Sequence, residues 1–177
     1  RYAEKKNAAW AGAVSSMLDL SIRLAFLSPP ALDADQTRAI LENTHEQADL
    51  FRAHPTLDLA DGYSNRVSLL VERLEKAEDF KGSAEATETA ATLFEAMGRK
   101  EGDPGSETDD TAKKRRNYGF REAALLNRRL SWMRTEKLNN NEEGLKAAAD
   151  AIALTQAGLA LTQPGDEQYV ALRREEM

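Results

Sequence analysis

Few side chains in this sequence have types and spacing that could support chemistry. His45 and His54 are the two histidines, and they stand nine residues apart. Two imidazoles that share a metal from one helix need a spacing of roughly three or four, so the pair reads as surface or loop histidines. Asp109-Asp110, Glu142-Glu143 and Glu175-Glu176 are adjacent carboxylates of the kind that can divide acid and base roles. Each pair lies in polar sequence, which marks solvated or helix-starting charge instead. The run Lys113-Lys114-Arg115-Arg116 has the chemistry of a phosphate-binding patch or a nuclear address. Glu107, Asp109 and Asp110 precede it and partly neutralise it, so it reads as part of a solvated loop. The phosphate-loop, dinucleotide and nucleophile-elbow glycine patterns are missing from the chain. The expectation is a protein without catalytic residues, metal or cofactor.

The composition narrows the class. The chain has 177 residues, 41% apolar and 31% charged, with no cysteine. That length suits one domain with a real core, here 1–177 as a single helical domain. Disulfides and thiolate metal sites are excluded. A net charge of −6 argues against a general nucleic-acid binder. No apolar run is long enough to span a bilayer. No signal peptide is visible; the chain runs from Arg1 to Met177 and reads as a fragment, so a targeting segment could have preceded it.

The elements that would carry any surface are helices. Trp10, Val14, Met17, Leu20, Leu24 and Leu27 make an apolar stripe over 3–28, stopped by Ser28-Pro29-Pro30. Asp33 or Asp35 can cap a second helix over 34–53, with Leu41, Ala48 and Phe51 inward and His54-Pro55 closing it. A third helix, 61–79, carries Tyr63, Val67, Leu70, Val71, Leu74 and Ala77. Lys81-Gly82-Ser83 reads as a turn with Ser83 as cap. A fourth helix, 84–97, carries Ala86, Ala90, Leu93, Phe94 and Met97 and ends on Gly98. Residues 99–116 read as a flexible charged loop. The clearest unit is 118–164. Its first arm has Ala123, Leu126, Leu130 and Met133 inward, and Asn139 to Asn141 interrupt it. Its second arm places Leu145, Ala148, Ala149, Ile152 and Leu159 on one stripe and stops at Pro164-Gly165. Asp166 to Met177 begins a seventh, capping helix.

These hairpins look like copies of one another. Ser21, Ser68 and Ser131 sit at matching places in three first arms, with intervals of 47 and 63 residues. The excess in the second interval is about the length of the charged loop. The units are about 3–55, 61–98 and 118–164. Asn127-Arg128-Arg129-Leu130-Ser131, Ala148-Ala149, Ala153 and Leu159-Ala160-Leu161-Thr162-Gln163-Pro164-Gly165-Asp166 resemble tetratricopeptide (TPR) repeats. The nearest kind is the longer-period one found beside CHAT domains. The usual Trp, Gly and Tyr of the first arm are incomplete here, and the period is longer than the usual one.

The resemblance implies an all-α fold, a stack of about three antiparallel helical hairpins with a terminal capping helix. It implies no catalytic residue. In such a stack the first arms line the concave side. The positions so selected for partner binding are Ile22 and Phe26, then Asn65, Leu69, Glu72 and Arg73, then Arg128, Trp132, Thr135 and Glu136. Leu69 and Trp132 fall off the core stripes. Trp132 either packs against a neighbouring arm or stands exposed as an anchor, the role in which Trp and Arg are favoured. The leading expectation is a protein–protein interaction scaffold, a segment of a larger cytoplasmic protein that holds a protein, a peptide or adjacent domains of its own chain. The alternative is a ligand-sensing helical bundle from a bacterial transmembrane receptor, which would be extracytoplasmic. A sensor needs four long helices, whereas the breaks at Pro29-Pro30, Gly82 and Asn139 to Asn141 give six shorter ones.

Overall fold

The structure, a computed structural model, describes residues 11–17, 34–101 and 109–162. Every regular element among the described residues is helical, and the fold is all-α. Residues 11–17 form α1. They are followed by α2 (Ala34–Ala53), α3 (Leu57–Lys76), α4 (Phe80–Arg99), α5 (Asp109–Trp132) and α6 (Asn141–Leu159). A π-helical turn, Met133–Lys137, extends α5. The chain divides into two compact units, Arg1–Leu70 and Val71–Met177, with the boundary inside α3.

In the first unit, α2 has the bounds its sequence predicts. Ala48 and Phe51 are buried with Ile40, Leu59, Ala60, Tyr63 and Val67. The Phe51 and Tyr63 rings lie 5.6 Å apart. Gln47, also buried, accepts from the Ser15 hydroxyl at 3.0 Å and donates to the Ser15 carbonyl at 3.1 Å. That exchange satisfies an amide that would otherwise be costly to bury. α3 starts at Leu57, not at 61, because the Thr56 hydroxyl accepts from the Leu59 amide at 3.4 Å and Asp58 places negative charge in the first turn. Met17, expected inward, is 70% exposed.

The second unit is built on two tight helix–helix turns of the same design. After α3 the Asp79 amide donates to Leu74 and the Glu78 amide to Glu75, with Glu78 at φ 59°. This is a Schellman closure with glutamate in the left-handed position that favours glycine. Asp79 then caps α4 by accepting from the Gly82 amide at 2.9 Å. So the turn lies at 77–79. Gly82 and Ser83 belong to α4, and Ser83 is a buried helical residue whose hydroxyl points at the Met133 sulfur, 3.2 Å away. After α5 the same sequence of events recurs: Asn139 at φ 52°, then Asn140 accepting from the Glu143 amide. The Asn140 amide closes onto Arg134, one residue further back than a Schellman bond reaches, because the π turn inserts an extra residue.

The extra residue sets the internal register. Leu59, Ala60, Tyr63, Val67 and Leu70 of α3 and Gly119, Phe120, Ala123, Asn127 and Leu130 of α5 are buried, each pair 60 positions apart. The caps Asp79 and Asn140 are 61 apart. Ser68 therefore corresponds to Arg128, not to Ser131; the serine landmark is three residues out of register.

α5 begins at Asp109, so residues 109–116, expected in a flexible loop, are helical. Asp109 and Asp110 complement the positive end of the helix dipole, and Asp110 pairs with Lys114 at 2.7 Å. The basic run has a structural task. Buried Arg115 donates to the carbonyls of Met97 and Lys100, each at 2.9 Å, and Arg116 donates to Gly98 at 3.0 Å. The orphan carbonyls at the end of α4 are thus capped by cations from the start of α5. Gly98 is not the cap of α4; it lies in the last turn, one residue before Arg99, where a Cβ would meet the Phe120 ring.

α5 lies antiparallel to α4 and to α6. Ser83 meets Met133 at one end of the α4–α5 seam and Gly98 meets Phe120 at the other. On the α6 side, Gly144 lies under Ser131 and Thr135, and Asn117 donates to the Gly158 carbonyl at 3.1 Å. α6 buries Gly144, Ala147, Ala151, Leu154, Thr155 and Gly158. This corrects the expected stripe: Leu145 is 72% and Ile152 59% exposed, Ala149 is exposed, and Ala148 and Leu159 are half-buried. At Gly144 the two helices come so close that even a Cβ would crowd Thr135 and Ser131.

Candidate protein-interaction surface

The residues singled out for partner binding fall in different places. Ile22 and Phe26 lie outside the described residues. Asn65 and Leu69 are exposed on the part of α3 that belongs to the first unit. In the second unit Glu72 and Arg128 are exposed, Arg73 is half-buried and Trp132 is 46% exposed. Glu136 is exposed on the π turn. Thr135 faces elsewhere: its hydroxyl stands over Gly144, in the seam with α6.

A two-pronged ion pair holds the end of α3 beside α5. Arg129 donates from Nε to one Glu75 oxygen at 3.1 Å and from Nη2 to the other at 2.8 Å. Such a fork fixes orientation as well as distance. Glu72 lies one turn before Glu75 and feels the Arg129 charge, while Arg128 and Trp132 lie on α5 on either side of Arg129 in sequence. The Glu72 carboxyl is held below its usual range by a hydrogen bond from Lys76 and the charge of the same ammonium; Arg129 and Arg73 add to it. Trp132 has its own companions. The Lys137 ammonium lies 5.3 Å from its ring centre and 5.2 Å from that of Phe80. Both distances are within cation–π range, and the contact braces the indole while leaving nearly half of it open.

A shallow polar groove of about 110 Å³ runs between α4, α5 and α6, lined in part by Glu88, Glu95, Asn127, Arg134, Lys146 and Asp150. Arg134, only 15% exposed, pairs with Glu88 at 2.9 Å and Glu143 at 3.3 Å. Arg134 thus bridges α4 and α6 through these two carboxylates. His45 is exposed and His54 half-buried, and no three His, Asp or Glu side chains among the described residues are grouped to hold a metal ion. No described helix is long and apolar enough to cross a membrane.

Glu75, Arg129, Phe80 and Lys137 escaped the sequence reading. The Arg128-Arg129 doublet was visible, but the selection took only Arg128, and it is Arg129 that forks onto Glu75. Phe80 fell between the expected third helix, 61–79, and the expected turn at Lys81-Gly82-Ser83, so its contact with Lys137 went unseen. The chain shows no match to any protein-family model, to any curated protein or to any solved structure with which it was compared.

Proposed function

We propose that the protein is a non-enzymatic interaction scaffold, a TPR-like stack of helical hairpins that holds a peptide or protein segment on the surface formed by the end of α3 and the C-terminal half of α5. The observation that carries this is Trp132. A tryptophan 46% exposed, braced by Lys137 and set beside the exposed Arg128, is an anchor with no task in the described core. Two further features favour it. The hairpin turns at 77–79 and 138–140 each place a left-handed residue directly before a side-chain cap, as repeats of a stack would. Five complete helices of 19 to 24 residues plus α1 among the described residues exceed the four of a sensor bundle. The surface carries both charge signs, Glu72 and Glu136 with Arg73 and Arg128, around an aromatic centre. It suits an apolar or aromatic side chain flanked by charge.

The test is selection of binders from a displayed random-peptide library on the intact chain, followed by rebinding to variants. Peptides that bind here lose at least tenfold in affinity on Trp132→Ala and on Arg128→Glu, while far-UV dichroism of both variants is unchanged. Enriched peptides indifferent to both substitutions would refute the surface. A large loss of thermal stability in Trp132→Ala would place the indole in the core and refute the anchor role.

A further inference from the structure

The groove between α4, α5 and α6 holds polar atoms that the fold leaves unused. At one end Arg134 is spent on Glu88 and Glu143. Seven residues before Arg134 on α5 stands Asn127, and seven after Glu88 on α4 stands Glu95; α6 adds Lys146 and Asp150 to the same groove. Asn127 is 8% exposed, and its Nδ2 donates to the Ala123 carbonyl at 3.0 Å. That bond fixes which way the amide points, and Oδ1 has no donor among the described residues. An acceptor on a side chain buried to this degree is costly to leave without a donor. Arg99 places Nε and Nη2 on the same Glu95 oxygen, at 2.8 and 2.7 Å, and leaves the second oxygen open. Lys146 and Asp150 stand one turn apart on α6, and neither has an ion-pair or hydrogen-bond partner among the described residues.

Together these groups complement a zwitterion. Asn127 Oδ1, the open Glu95 oxygen and the Asp150 carboxylate are acceptors, and a primary ammonium has three protons to give them. Lys146 is a cation beside them, and it matches a carboxylate on the same ligand. We propose that the groove binds a free α-amino acid with a small side chain, its ammonium on Asn127, Glu95 and Asp150 and its carboxylate on Lys146. The volume of about 110 Å³ sets the size. The apolar part of the lining is buried Leu130 and Ala91, which can cover a methyl group but offers no pocket for a larger apolar side chain. A metal ion suits the groove less well. No three His, Asp or Glu side chains among the described residues are grouped to hold one, and the Lys146 charge opposes it. The bound amino acid joins α4 to α6 across α5, as Arg134 does at the other end. The proposal draws on none of the residues of the Trp132 surface, so either can fail without the other.

The test is an NMR titration of the intact, isotope-labelled chain at constant ionic strength. The probes are L-alanine, ethylamine as the ammonium alone, acetate as the carboxylate alone, and L-leucine. L-alanine is expected to shift the Asn127 side-chain amide and the backbone amides of Glu95 and Asp150 saturably, and to bind about tenfold more tightly than either half-molecule or L-leucine. Asp150→Asn weakens L-alanine by about tenfold, and Lys146→Gln lowers it to the affinity of ethylamine. Both side chains are exposed, so the variants keep the fold, which far-UV dichroism checks. Shifts that do not saturate, or that are indifferent to both substitutions, overturn the site. Ethylamine binding as tightly as L-alanine to the unaltered chain overturns the role of Lys146 and with it the zwitterion. L-leucine binding as tightly as L-alanine overturns the small side chain.

Discussion

Arg115→Ala tests the central claim about the basic run, that it ends α4 and does not serve solvent or phosphate. The guanidinium is 5% exposed and makes two hydrogen bonds of 2.9 Å, to the carbonyls of Met97 and Lys100. A hydrogen bond from a charged donor contributes roughly 1.5–3 kcal/mol net, and its removal also leaves a carbonyl without its partner. Two such bonds at the negative end of a helix bring the expected loss to about 3 kcal/mol or somewhat more. With a urea slope of about 2 kcal/mol/M, the midpoint falls by roughly 1.5 M. The assay is urea unfolding followed by dichroism at 222 nm. Lys113→Ala, two residues away and exposed, is the control and shifts stability by about 0.5 kcal/mol or less. Arg115→Lys keeps the charge at the helix end but loses the fork that spans two carbonyls, so it falls between the two. If Arg115→Ala unfolds at the same urea concentration as Lys113→Ala, the capping argument is wrong, and the run is a surface feature after all.

The Tyr63 hydroxyl is pushed up to about 12 by burial, against a small opposing effect of Arg52. Tyr63 in the folded chain therefore keeps its proton where the unfolded chain has lost it, so its contribution is complete below pH 10 and is lost as pH rises from 10 through 12. Absorbance at 295 nm should show one tyrosine ionising late, and Tyr63→Phe should remove both that step and its share of the alkaline loss of stability. A late step that survives Tyr63→Phe would refute the assignment. Gly144→Ala should destabilise, because its Cβ would meet the Thr135 hydroxyl and lie 3.2 Å from the Ser131 carbonyl. In a Thr135→Ala background the same change should cost much less or become favourable, since alanine gains about 1 kcal/mol over glycine in a helix interior. A double-mutant cycle by urea unfolding that shows simple additivity would mean the two residues do not touch.

What was legible in the sequence followed from periodicity alone. The all-α class, the 34–53 helix and the inward positions Tyr63, Val67, Leu70, Val71 and Leu74 followed from the spacing of apolar residues, whereas Ala77, also expected on that stripe, is exposed. The errors cluster where small residues decide. On α6 the buried face is Gly144, Ala147, Ala151 and Gly158, with little hydrophobicity to register, while the conspicuous Leu145 and Ile152 face out. Helix starts were misplaced for a related reason. Asp79 was passed over for Ser83, four residues on, because both are good caps and only the Schellman closure from Leu74 chooses between them. The candidate surface was partly legible: Trp132 and Arg128 were selected, though by a landmark three residues out of register. Glu75 could not be found without knowing that the last turn of α3 meets Arg129 of α5.

The basic run shows how a local reading fails when the partner group is backbone. Lys113 to Arg116 has the composition of a binding patch, and its acidic neighbours suggested a loop in which charges cancel. Neither account considers the last carbonyls of the preceding helix, which are present at every helix end and invisible in side-chain composition. Here the second half of the run meets those carbonyls. Arg115 and Arg116 turn inward while Lys113 and Lys114 remain exposed. The same geometry explains why a helix can begin at Asp109 amid so much charge. Acidic residues sit at its positive end, and the arginines one to two turns later are neutralised by the negative end of α4. A basic cluster that follows a helix by one short segment thus has two competing readings, a patch for an outside anion or a cap for the helix behind it. Burial of its individual members decides between them.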